Sequence, residues 1–289
     1  MLVVPEKRSI GTAELRIPDS VPAGSYQEFS LVYKAGYFGI DDSGSIKVCY
    51  RHVTDMGEPQ FHSPSEPHYV SVTTTADADL AFRFDPKGNV RPWGQTISIK
   101  VQGGYLRQGD EVVLVFGDRR QRSPGIRMQT FCEKRFGFKV LVDPVATYTY
   151  VDVPLSKTVE IAPGPPSSCV VTSPTVRRVG ERFSVRVKLE DVWGNPTSDE
   201  ATEVRLGASA QVRNLPSTLR LSGEPVTMIH DLSVSEPLAM RFTVSHPSIG
   251  EAVSNPLIVV SESPQYHFWA DLHGQSEETI GTKTAQDYF

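Results

Sequence analysis

The sequence predicts an all-β protein built from two β-sandwich domains, and three observations carry that expectation. Apolar residues recur at every second position through most of the chain. Phe183, Val185, Val187 and Leu189, for example, alternate with Ser184, Arg186, Lys188 and Glu190, the pattern of a strand with one buried face. No stretch sustains the 3.6-residue apolar period of an amphipathic helix. The run Ala162-Pro-Gly-Pro-Pro-Ser-Ser168 divides the chain, because such residues suit neither a helix interior nor a central strand. The expected domains are 1–158 and 159–262, with 263–289 opening a further one.

In the first domain, strands are expected at 26–33, 45–50, 69–74, 80–84, 96–101, 111–116, 136–142 and 147–153. Turn material separates them at Asp41-Asp-Ser-Gly44, at Asp85-Pro-Lys-Gly-Asn89 and at Gly103-Gly104, where such residues accept the special dihedrals of tight turns. In the second domain, the strand at 183–189 leads into the turn Gly194-Asn195-Pro196. Further strands are expected at 202–206, 217–221, 226–232, around Met240, Phe242 and Val244, and at 255–260. Several short strands over about 100 residues describe an immunoglobulin-like sandwich. Trp93 and Trp193 read as sandwich core. Asp41-Asp42-Ser43-Gly44 lacks the spacing of a calcium loop and reads as a turn.

The 289 residues have an ordinary globular make-up, 39% hydrophobic and 22% charged. A net charge of −5 argues against nucleic acid as a general partner, which usually leaves a basic footprint. Cys49, Cys132 and Cys169 show neither a disulfide framework nor zinc spacing. No apolar stretch is long enough to cross a membrane as a helix, and the first residues show no signal-peptide pattern; the expected location is cytoplasmic. Phosphate-cradling loops, nucleophile elbows and dinucleotide fingerprints are missing from the sequence.

Two groups of residues carry potential chemistry. Toward the end, an apolar strand runs into Asp271, His273 and Gln275, which alternate and so share one face within reach of a single ion. Glu277 and Glu278 follow in a loop, and Thr284 with Asp287 resembles the capped start of a helix. One strand and a few helical residues cannot stand alone, so this tail is expected to open a domain whose remainder lies elsewhere. Earlier, Gly117-Asp-Arg-Arg-Gln-Arg-Ser-Pro-Gly-Ile-Arg127 gathers Arg119, Arg120, Arg122 and Arg127. Guanidinium groups suit phosphate or carboxylate; the run reads as a substrate clamp, a surface for docking another domain, or a solvated loop with ordinary ion pairs.

The words Gly39-Ile-Asp-Asp-Ser-Gly-Ser-Ile-Lys47, Gly117-Asp-Arg-Arg120, Pro124-Gly-Ile-Arg-Met-Gln-Thr-Phe131 and Ala270-Asp-Leu-His-Gly-Gln-Ser-Glu-Glu-Thr-Ile-Gly281 together resemble a bacterial family of uncharacterised proteins. In that family, β-sandwich domains precede a polymerase-and-histidinol-phosphatase (PHP) type domain, a distorted α/β barrel resembling metal-dependent phosphoesterases. The resemblance implies that 263–289 holds the first strand and helix start of a truncated α/β barrel. It implies Asp271 and His273 as ligands of a divalent ion (Mn, Zn or Mg), with Gln275 where a second histidine usually stands. A neutral amide is a weaker zinc ligand than imidazole. The chain would then be the accessory part of a metal-dependent hydrolase, silent by itself, with the missing catalytic domain as its partner and a small ester as that domain's substrate. The alternative is a β-sandwich module that binds a glycan or a protein.

Overall fold

The computed structural model describes residues 7–198, 202–221, 223–262, 274–276 and 284–288. The chain divides into two compact units, one running to Ala162 and the other beginning at Pro163.

Two antiparallel sheets face each other in the first unit. One orders the strands Gly11–Arg16, Phe29–Ala35, Glu111–Phe116 and Val70–Thr74. The second orders Val151–Val153, Lys139–Asp143, Ser45–Tyr50, Gln95–Gln102 and Asp79–Asp85. Period-two alternation decides which side chains turn inward: Leu31 and Leu114 from one sheet meet Ile46, Val48, Ile97 and Ile99 from the other in one buried cluster. Phe138 ties the sheets together. Its ring centroid lies 5.7 Å from Phe29 and 5.4 Å from Phe116 on one side, and 5.7 Å from Tyr50 on the other, within the range of favourable aromatic pairs. Truncating a ring so placed costs about 3–5 kcal/mol.

A smaller sheet joins Glu133–Phe136, Val159–Ala162 and Ser20–Pro22. Val159–Ala162 runs parallel to Ser20–Pro22, so the first unit extends beyond the expected boundary at 158. The strand expected at 136–142 is two strands, Glu133–Phe136 and Lys139–Asp143, interrupted at Gly137 and Phe138. The one expected at 147–153 forms only over Val151–Val153, because Ala146 and Tyr148 adopt positive φ, outside the range of extended backbone.

The second unit is also all-β. Phe183–Glu190 pairs with Ser168–Thr172 and Val226–Leu232. A second sheet orders Val176–Arg178, Leu257–Val260 and Leu238–Met240, and a third Thr218–Arg220, Glu203–Ala208, Phe242–His246 and Gly250–Val253. Val185, Val187 and Leu189 share one core with Phe242 and Val244, as their alternation predicts. Of the tail, the described parts are 274–276 and a helical turn at Ala285–Tyr288; the expected barrel strand lies outside the described residues.

Candidate functional site

The five-stranded sheet turns its second face away from the core, and its register concentrates charge there. Lys47 stands opposite Ser98, which stands opposite Arg83, while Ser45 stands opposite Lys100 and Lys100 opposite Ala81. Lys47, Arg83 and Lys100, from three neighbouring strands, therefore share one face, which also carries Lys139 and the carboxylates of Asp79, Asp85, Asp143 and Asp152. Two loops fold over its flanks. From one side Gly88 lies so close to Thr96 that a Cβ on the glycine would sit 2.8 Å from the threonine Cβ. Its carbonyl accepts a hydrogen bond from Lys47 Nζ at 2.9 Å. From the other side the ring of Tyr150 lies 4.4 Å from the same Nζ, a cation–π distance, and its hydroxyl is 2.8 Å from Ser45 Oγ. Between the loops opens a basin of about 800 Å³ lined by Lys47, Arg83, Ser98, Lys100, Tyr148 and Tyr150.

The second loop is held under tension. Asp143 is 1% exposed. Its Oδ1 accepts from Thr147 N at 3.1 Å and Thr147 Oγ1 at 3.2 Å, and its Oδ2 from Tyr148 N at 2.6 Å. These bonds clamp a backbone in which Ala146 has φ 55° and Tyr148 φ 60°. Such a conformation costs about 1–3 kcal/mol per residue and is unusual for a bulky side chain. The outcome is a tyrosine ring 88% exposed at the basin's rim. The buried carboxylate thus fixes the backbone that holds this amphipathic ring in water.

Around the basin the acids are turned elsewhere. Asp85 accepts a hydrogen bond from Lys87 N at 2.8 Å, and Asp143 faces its own loop. Arg83 and Lys100 have no carboxylate partner among the described residues.

The arginine run is different. Gly117 has φ +67°, and a Cβ there would lie 2.2 Å from Ile126 N, so the loop folds back tightly on its own far end. Asp118, 1% exposed, accepts from Arg120 N and Nε at 3.0 Å each and from Ser71 Oγ at 2.6 Å. The Arg120 guanidinium, helped by Ser71 and opposed by burial, lowers the Asp118 pKa to about 2. Arg119 donates to Tyr26 O at 2.9 Å and Pro124 O at 3.1 Å. Arg127 donates to Asp55 O at 2.7 Å and lies 3.5 Å from its carboxylate. Arg122 is exposed, at φ 72°. Three of the four arginines thus bond to the loop itself or tie it to the segments around Tyr26, Asp55 and Ser71.

Asp271 and His273 lie outside the described residues, as do Glu277 and Glu278; Gln275 is half-buried. Among the described residues no three His, Cys, Asp or Glu side chains are gathered as a metal cluster. A second cleft of about 520 Å³ holds Trp93, Arg51, Glu133 and Arg135. Burial pushes the Glu133 carboxyl up, and Lys139 at the cleft edge is paired with Asp152 at 3.2 Å, so fewer charges stand open there. Trp93 is half-buried in this cleft and Trp193 is 47% exposed; neither is the core residue expected. Trp193 sits in a turn where its own backbone N–H and that of Asn195 each donate to the buried Asp191 carboxylate at 2.9 Å. Burial raises the Cys49 thiol and pushes Cys169 up to about 11, which makes both poor nucleophiles.

The basin's trace in the sequence is short: both of its tyrosines and one of its two aspartates stand in the word Asp143-Pro-Val-Ala-Thr-Tyr-Thr-Tyr150. No family model matches the chain. It is similar to uncharacterised proteins of Chlamydia muridarum, 25% identical over 179 residues, and of Chlamydia trachomatis serovar D, 25% identical over 201 residues. The matches cover 60% and 67% of this chain but 29% and 31% of those proteins, so the chain spans about a third of its curated relatives. Among solved structures, a cohesin module from a Clostridium perfringens family 33 glycoside hydrolase matches 54% of this chain and 99% of its own, at 15% identity and TM-score 0.33. The Escherichia coli adhesin FdeC matches 91% of this chain and 67% of its own, at 10% identity and TM-score 0.31. Likeness at these scores carries no functional weight.

Proposed function

We propose that this chain is a β-sandwich interaction module whose first unit takes a carbohydrate in the basin on its five-stranded sheet. The observation behind this reading is the strained, Asp143-clamped presentation of Tyr148 beside Tyr150 and above hydroxyl and cationic side chains. Aromatic faces with a few convergent polar groups are the usual lining of a ligand site. Ser45, Ser98 and the Tyr150 hydroxyl provide both donors and acceptors for sugar hydroxyls. A protein partner would be better served by a central apolar anchor, whereas this basin is polar at its centre. The test is a glycan array probed with the whole chain and with Tyr148→Ala. The reading expects a sugar class retained by the wild type and lost by the variant. An empty array, or one bound equally by both proteins, would refute it.

A second reading rests on the word from Ala270 to Gly281, together with the greater length of the relatives. In it, the chain is the accessory portion of a larger metal-dependent hydrolase acting on a small ester. Asp271, His273 and Gln275 would contribute to a site for Mn, Zn or Mg, and exposed Arg122 would meet the catalytic domain while Arg119, Arg120 and Arg127 shape the loop. Metal analysis of the longer protein tests this. His273→Ala should lower its metal content; unchanged content would remove the ligand assignment.

A further inference from the structure

We infer that the basin selects an acidic oligosaccharide, a short chain of uronic-acid-type sugars, over a neutral one. This rests on the carbohydrate reading above and adds the identity of the sugar class. Charge complementarity carries it. The chain as a whole is net negative, at −5, yet Lys47, Arg83 and Lys100 converge on one face from three adjacent strands. Arg83 and Lys100 have no carboxylate partner among the described residues. Of the acids on this face, the two that line the basin are turned to backbone N–H groups, Asp85 to Lys87 N and Asp143 to its own loop; Asp152 pairs with Lys139, and Asp79 lies beyond Ala81, toward Gly103. An ammonium has three donors; Lys47 directs one at Gly88 O and stands over the Tyr150 ring, which positions it on the basin floor with donors to spare. Arg83 supplies a planar fork that matches a carboxylate with two parallel hydrogen bonds.

The other anionic polymers fit less well. A single nucleic-acid strand tracks a long basic groove, and the cations here are confined to a basin of about 800 Å³, the size of a small-ligand site. An acidic peptide commonly adds to an open strand edge. The floor of the basin is instead Ser45–Tyr50 and Gln95–Gln102, both paired on each side, with Arg83 standing on the face of the edge strand Asp79–Asp85. A sugar acid uses what is present: ring faces on Tyr148 and Tyr150, hydroxyls on Ser45 and Ser98, and a carboxylate on Arg83 or Lys100.

The experiment is calorimetric titration of the whole chain with a uronic-acid tetrasaccharide and with the same tetrasaccharide after its carboxyls are reduced to alcohols. The acidic form should bind about tenfold more tightly, as expected for one charge-assisted hydrogen bond, with the advantage shrinking as salt rises. Arg83→Gln combined with Lys100→Gln should abolish the difference, whereas Tyr148→Ala should weaken both sugars. Circular dichroism and thermal melts would establish that each variant is folded. Equal binding of the two tetrasaccharides overturns the inference and leaves the carbohydrate reading standing, as does an array that finds only neutral ligands. A tetraglutamate peptide bound as tightly as the sugar acid overturns it in favour of peptide recognition. An array without any ligand instead sinks the carbohydrate reading itself.

Discussion

The loops at 117–127 and 144–150 are both anchored by a buried aspartate, yet they leave their cations in opposite states. Asp118 draws Arg120 onto itself, and the neighbouring arginines bond carbonyls and Asp55, so a charge-rich sequence folds into a largely self-satisfied loop. Asp143 takes only donors from Thr147 and Tyr148 and, among the described residues, forms no ion pair with the cations beside it. The first loop looks functional in the sequence because its four arginines fall within nine residues. The second becomes interesting only when three strands bring Lys47, Arg83 and Lys100 to one face. Charge density along a chain is therefore a weaker guide to a binding site than charge left unpaired on a surface.

The contrast can be broken most forcefully at Asp143. Replacing it by alanine removes the acceptors for two backbone N–H groups and a hydroxyl and should destabilise the first unit by about 2–3 kcal/mol, read by urea denaturation. A loss under about 0.5 kcal/mol would mean the clamp does not hold the loop. Next comes the pH response of the other aspartate. Because Arg120 depresses the folded pKa of Asp118 to about 2, its contribution is complete above the unfolded value of about 3.9 and fades as pH falls toward 2. Asp118→Asn should thus be less stable than wild type near neutrality, with the gap narrowing in that acid window; a constant gap would contradict the pairing. The smallest effect is expected at Arg122. With φ 72°, Arg122→Gly should stabilise by up to about 1 kcal/mol without altering sugar binding, as thermal melts and titration would reveal. Lost sugar binding would return the arginine run to the functional site.

Much of the fold was legible in the sequence. Ser45–Tyr50 and Glu111–Phe116 form at their expected limits: the first opens with alternating polar and apolar residues, and the second is a continuous run of β-forming apolar residues closed by Gly117. Gly11–Arg16 escaped notice because its threonine, alanine and glutamate give little apolar contrast. Val159–Ala162 was missed because a proline-rich segment follows it directly and its parallel partner, Ser20–Pro22, lies far back in the chain. The basin was harder to see for a physical reason. Lys47, Arg83 and Lys100 each stand on a strand that was correctly expected, but alternation gives a residue's face and says nothing about which strands are neighbours. The turn was hidden too: Thr147 to Val153 carries β-forming residues, and only the buried Asp143 carboxylate draws its start into positive φ.

The most direct test of a strained loop built for presentation is Tyr148→Gly, with stability and sugar binding measured on the same preparation. Glycine accepts φ 60° without penalty, so the variant should be as stable as wild type or more so, by about 1 kcal/mol, while losing its ligand. A variant that unfolds more easily and still binds would contradict both the strain and its purpose.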